Sequence, residues 1–229
     1  MTAQRLELLN ANDHAGLRLG PVEGAPPPFV QIVLDEFASA ATLAPIFVTR
    51  AESTGEFYAG AILGLKPEEP TLVTRDELAG LFEPLDWKRR GFHVVDEQVA
   101  IDPADPRFAD AAGELLFGGD GAPSPALAGM AQSLGRLKAG LDATRAFIDA
   151  CLSHRLLEPI DVDLKFDDGE RLTLAGLYTV SLDAIGDLDD AAALSLLRAG
   201  HLQAAFTMAQ SVRQLGRLAR IRNARLTAG

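Results

Sequence analysis

The chain predicts an α+β fold, with antiparallel strands and hairpins packed with a helical region and two helices at the C-terminal end. Three observations point there. Ile160, Val162, Leu164 and Phe166 alternate with Asp161, Asp163 and Lys165. Asp168-Gly169 then supplies a left-handed turn, and Leu172, Leu174 and Tyr178 resume the alternation, which is the pattern of a half-buried β-hairpin. Ser124-Pro125 opens a helical region reaching about His154, with serine as N-cap and proline at the first helical position. Asp189-Asp190 opens a helix to about Ala199, Gly200 punctuates, and a last helix runs from about His201 to Arg225.

The remaining elements follow in order. Residues 1–20 read as a short strand or arm anchored by Leu6, Leu8, Leu17 and Leu19, and the proline-rich connector up to Pro28 cannot hold regular structure. Phe29–Leu34 reads as a buried extended segment. Asp35–Thr42 is small and helix-permissive until Pro45 blocks it. Ile46–Thr49 and Phe57–Leu65 are strands, the second with Gly60 and Gly64 marking a bulge or a close backbone approach. Thr74 with Glu77 has capping-box spacing for a short helix. Gly91–Ile101 predicts a hairpin turning near Asp96-Glu97. Gly118-Gly119-Asp120-Gly121 reads as a connector. Gly140 is expected to divide the following helix, with Asp142 capping its second part.

At 229 residues, 48% hydrophobic and 23% charged, the chain carries enough apolar material for one large domain. A formal net charge of −11 argues against non-specific nucleic-acid binding. A single cysteine, Cys151, excludes an internal disulfide and a multi-cysteine zinc site. The first residues lack the pattern of a secretory signal, and no apolar run is long enough to span a membrane. The expected location is the cytoplasm.

Several segments carry a family likeness: FVQIVLDEFASAATLAPIFVTR with GEFYAGAILGLKPEE, then Arg89-Arg90-Gly91-Phe92, Ile101-Asp102 and Gly113–Phe117. The strongest are LLEPIDVDLKFDDGERLTLAGLYTVSLDAI and AGHLQAAFTMAQS. In this order they resemble the SapC family of bacterial proteins, from residue 29 to about 225. The chain departs from the family at Glu68-Glu69-Pro70-Thr71-Leu72, where relatives often carry Gly-Glu-Asn-Leu. It departs again at Gly91, where they often carry an aromatic-Pro insert. The resemblance implies one SapC-like domain over 1–229, with residues 1–28 as arm and connector and a basic helix over about 201–225. The family's name implies a surface-layer association in some bacteria. Relatives are often encoded beside TonB-dependent receptors, flavin-dependent halogenase-like proteins and cupin-like proteins, which suits an accessory protein of uptake or modification.

Residue chemistry offers few sites. His14, His93, His154 and His201 form no metal-ligand spacing and read as surface or edge histidines. Cys151 and His154 share a helix face at i and i+3, yet no acidic orienter accompanies them, so Cys151 reads as a buried thiol. Asp161, Asp163, Asp167, Asp168 and Glu170 read as a solvated hairpin face. No metal and no cofactor are expected. Trp87, Arg89 and Arg90 are the candidate small-molecule binders, because guanidinium and indole together grip anionic or aromatic groups. Arg213, Arg217 and Arg220 recur at i, i+4 and i+7 in a stretch without acids, opposite an apolar face of Val212, Leu215, Leu218 and Ile221. They either dock on the acidic body or meet a protein partner, a second copy or an anionic ligand.

The expected function is a non-catalytic binding or accessory protein, acting with a modifying enzyme or nutrient-uptake system. The alternatives are an enzyme with a small-molecule site in the N-terminal core around Asp86, Arg89, Arg90 and His93, and a surface-layer-associated structural protein.

Overall fold

A computed structural model describes residues 5–228, so Met1–Gln4 of the predicted arm lie outside the described residues. The fold is α+β. In chain order come β1 (Glu7–Leu8), β2 (Arg18–Leu19), β3 (Phe29–Gln31), α1 (Phe37–Ala40), β4 (Ile46–Arg50) and β5 (Phe57–Ile62). Next are α2 (Arg75–Leu81), α3 (Leu85–Lys88), β6 (Phe92–Val95), β7 (Gln98–Ile101), β8 (Glu114–Leu115) and α4 (Pro125–Ser153). The chain ends with β9 (Leu157–Lys165), β10 (Arg171–Val180), α5 (Leu182–Gly186), α6 (Asp190–Arg198), α7 (His201–Ser211) and α8 (Gln214–Ala228). The described residues form two compact units, 5–24 with 85–139 and 25–84 with 140–228.

In the first unit β1, β7 and β6 form an antiparallel sheet, and β2 pairs with β8. The β6–β7 hairpin turns where predicted, on Asp96 and Glu97, both at positive φ, which matches the strand twist in a two-residue turn. The core gathers Phe92, Ile101, Phe108, Leu116, Phe117, Leu127, Met130 and Leu134, with Leu9, Leu17 and Leu19 packed against it. Leu6 and Leu8 are exposed instead. The inward phase of the first strand falls on Leu9, whose N–H donates to Val99. Buried Arg107 ties this unit together, donating to the carbonyls of Gly20, Lys88 and Arg90. Gly118–Gly121 closes as a hydrogen-bonded turn rather than a plain connector, and Ser124 then caps α4.

In the second unit five antiparallel strands run in the order β3-β5-β4-β10-β9. Phe37, Phe47, Phe147, Ile46, Leu156, Met208 and Leu218 are fully buried there. The β9–β10 hairpin forms around Asp168-Gly169 as predicted, with register Arg171↔Lys165 through Leu174↔Val162. A bulge at Ala175-Gly176, where Gly176 has φ +75°, then shifts the pairing to Leu177↔Ile160. The inward phase passes to Leu177 and Thr179, so Tyr178 lands on the other face, edge-on to Phe57.

Two glycines matter by close approach. Gly60 sits in regular pairing under the Phe29 ring, leaving no room for a Cβ. Gly140 does not divide α4: a Cβ there would lie 2.6 Å from Val33 Cγ2, so the glycine admits the Val33 side chain against a continuous helix. Thr144 completes that contact, donating to Gly140 O and accepting from Leu34 N–H.

The basic helix predicted over about 201–225 is two helices, α7 and α8, meeting at Val212-Arg213. Ser211 fixes the end of α7 to the sheet: its hydroxyl donates to Met208 O at 2.6 Å and accepts from Ile46 N–H at 2.8 Å. The bonds Leu215 N–H to Val212 O and Gly216 N–H to Arg213 O then tighten the turn into α8.

Candidate functional site

Among the residues predicted from sequence, the structure brings Trp87 and Arg90 together. The exposed Arg90 guanidinium lies 4.5 Å from the Trp87 ring centre. Arg89 is committed to its own neighbourhood, donating to Asp86 Oδ1 through Nε at 2.9 Å and to Phe92 O through Nη1 at 3.2 Å. His93 sits on β6, and burial, with Arg89 nearby, lowers its pKa, so it stays neutral at neutral pH.

The three C-terminal arginines separate. Arg217 pairs with Glu77, the capping-box residue of α2, and donates to Leu43 O at 3.0 Å. Arg220 donates to Gly216 O on its own helix. Arg213 is exposed at the α7–α8 turn, held by Gln210 through the backbone carbonyl at 3.0 Å and the amide oxygen at 2.8 Å. No carboxylate is paired with it among the described residues.

The residue that docks α8 is Arg222. The inward face of α8 is Leu215, Leu218 and Arg222, and Ile221, assigned to the apolar stripe from sequence, is only half-buried. Arg222 is 3% exposed. It forks onto Glu69 at 2.9 and 2.6 Å, reaches Glu170 at 2.7 Å, and lies 4.1 Å from the Phe166 ring centre. Lys66 joins both carboxylates. The Arg222 fork holds the Glu69 carboxyl below its usual range, and Lys66 with Arg222 does the same for Glu170. Arg225 adds bonds to the carbonyls of Pro70 and Thr71. The loop that departs from the family pattern is thus the seat of the last helix.

A groove of about 510 Å³ opens along α7 where it meets α8. Gln203, Phe206, Thr207 and Gln210 recur at i, i+3, i+4 and i+7 and form one stripe of α7. Arg213 and Gln214 extend the stripe, and Ala41 and Thr42 form the facing wall. The adjoining stripe, Ala204, Ala205, Met208 and Ser211, is buried, which fixes the rotation of α7, and Ser211 also borders the groove. Gln214 pins the wall by donating to Ala41 O and Thr42 O. Phe206 is 42% exposed. The lining therefore offers amides, hydroxyls, an exposed ring and one guanidinium. Arg213 was legible from sequence. The glutamines and Phe206 were not, although their helical spacing inside AGHLQAAFTMAQS was the available signal.

The other singled-out residues are structural. Cys151 is buried, which pushes its thiol up to about 12, while His154 lies past the end of α4 and is exposed. His14, read as a surface or edge histidine, is buried, with Nε2 3.6 Å from Glu7. His201 meets the Phe147 ring edge-on, and burial lowers its pKa. On the acidic hairpin Asp163 accepts from Thr173 at 2.6 Å. Among the described residues, no three His, Cys, Asp or Glu side chains gather to hold a metal, and no helix is long and apolar enough to cross a membrane.

The fold is that of an α+β protein whose five-stranded antiparallel sheet carries a two-helix C-terminal cover. The chain belongs to the SapC family, whose family model matches residues 9–218. Neither comparison, with curated proteins or with solved structures, returned a match.

Proposed function

We propose that this protein is a non-catalytic binding module that presents the α7 groove to a carboxylate-bearing ligand or acidic partner, as an accessory to a modifying enzyme or uptake system. The observation that carries this is the lining of the groove. Gln203, Thr207 and Gln210 offer hydrogen bonds, Phe206 offers a ring face, and Arg213 offers a guanidinium with no paired carboxylate among the described residues. Groups of this kind orient and hold. None of them is a nucleophile or a general base at neutral pH. Arg213 is suited to a carboxylate because its planar fork matches that group. Arg217 and Arg222 are engaged within the protein and serve the docking of α8.

A second binding position is supported by the Trp87–Arg90 pair, where a ring and an exposed guanidinium present together. The cytoplasm stays the location attached to this proposal, and fractionation of the native host checks it. Affinity capture from the native cell is the test. A ligand bound by the wild type should be lost by Phe206→Ala/Arg213→Gln and kept by Trp87→Ala/Arg90→Gln. The reverse pattern would move the site to the first unit.

A further inference from the structure

We propose that the outer face of α6 is an interface at which two copies of this chain pair antiparallel about a two-fold axis at Leu194. Asp190, Ala191, Leu194, Leu197 and Arg198 recur at i, i+1, i+4, i+7 and i+8, which places them on one face of a nine-residue helix. That face is open. Leu194 is 45% exposed and Leu197 60%, and Asp190, Ala191 and Arg198 are exposed as well. Packing within the chain uses the other residues of α6: Leu196 is buried, Ala192 and Ala193 are half-buried, and the helix rests on α7. The seam of Ala191, Leu194 and Leu197 stays outside that packing.

The charges name the occupant. The seam has an acid at one end, Asp190, and a base at the other, Arg198. The two lie about 12 Å apart along the axis, too far to pair with each other, and neither has an ionic partner among the described residues. In a two-fold interface residue i meets j and j meets i. With Leu194 on the axis, Asp190 of each copy falls opposite Arg198 of the other, and Leu197 falls opposite Ala191. The face is thus complementary to itself in charge and in size, a leucine against an alanine. Antiparallel helices also set their dipoles head to tail, whereas a parallel pairing would put like charges side by side. A helix this short makes an interface below the ~1,200 Å² of standard complexes, so the dimer is a weak one, governed by protein concentration.

The test is sedimentation equilibrium of the full-length protein from micromolar to millimolar concentration. A monomer–dimer equilibrium is expected for the wild type. Leu194→Lys sets two ammonium groups face to face on the axis and should be monomeric throughout. Asp190→Arg and Arg198→Asp each replace two attractive contacts by two repulsive ones, and each should weaken dimerisation about tenfold. An equimolar mixture of those two single variants should dimerise like the wild type, because one copy then carries bases at both ends of the seam and the other acids at both ends. Rescue in the mixture also shows that both variants are folded. A wild type that stays monomeric to millimolar concentration, Leu194→Lys dimerising as well as the wild type, or a mixture no better than its components would overturn the proposal. The groove variant Phe206→Ala/Arg213→Gln should dimerise unchanged; a dimer lost there and kept in Leu194→Lys would put the interface at the groove instead.

Discussion

Replacing Arg222 with methionine should cost more stability than the same change at any other arginine of α8. Arg222 is 3% exposed, and its guanidinium makes three charge-assisted bonds, two to Glu69 and one to Glu170, over the face of Phe166. Methionine fills much of the volume and removes all three bonds. Lys66 is then the one cation left between the two carboxylates. Breaking a fully buried pair typically costs ~3–5 kcal/mol. The Glu69 and Glu170 side chains are 31% and 33% exposed, so water relieves part of the loss. The expected cost for Arg222→Met is about 3 kcal/mol, or a melting point lower by about 6–12 °C for a chain of this size. Urea unfolding and calorimetry measure it, with Arg220→Met, an exposed arginine two residues away, as control. If Arg222→Met melts with the control, α8 is not held by this network. A double-mutant cycle with Glu69→Gln should show coupling, because both residues act through one fork.

The remaining predictions concern pH, packing and accessibility. The carboxyls of Glu69, through the Arg222 fork, and of Glu77, through the Thr74 backbone N–H, sit below their ordinary 4.5. Their stabilisation is full above that value and is lost as pH falls through the lowered folded values. Acid unfolding should therefore begin below about pH 4.5, and Glu69→Gln should flatten that limb of the profile; an unchanged profile would count against the network. Gly140→Ala should destabilise despite better helix propensity, by about 1–3 kcal/mol of overpacking, and Val33→Ala should partly rescue it in a thermal melt. Gly129→Ala in the same helix meets nothing within 4 Å and should stabilise by about 0.5–1 kcal/mol. Cys151 should resist a thiol reagent at pH 8 until the protein is unfolded, since its thiol is buried and shifted to about 12. Rapid native labelling would contradict this.

The contrast among these residues shows what a single sequence discloses. The β9–β10 hairpin, the Thr74–Glu77 cap and the Asp96-Glu97 turn were legible because each is fixed by residues a few positions apart. The bulge at Ala175-Gly176 was not, because one extra residue moves the inward phase from Tyr178 to Thr179 without altering composition. Gly140 reads as a helix divider until Val33, distant in sequence, needs its space. An arginine on a helix reads as solvent-facing, and only Glu69 and Glu170 arriving from two other segments let Arg222 take a core position. The same limit hid the groove. Arg213 stood out by charge, whereas Gln203 and Gln210 became a lining only when α7 turned its alanine and methionine stripe inward.

Quantitative capture with three forms of the protein tests the central claim most directly: wild type, Phe206→Ala/Arg213→Gln, and Trp87→Ala/Arg90→Gln. Each is purified from the native host under low salt and analysed by native mass spectrometry. The account predicts a stoichiometric ligand or partner on the wild type and on the Trp87/Arg90 form. It should be absent from the groove form, and chemically unaltered when released and rebound. Retention by the groove form, or conversion of the ligand on incubation with the wild type alone, would contradict it.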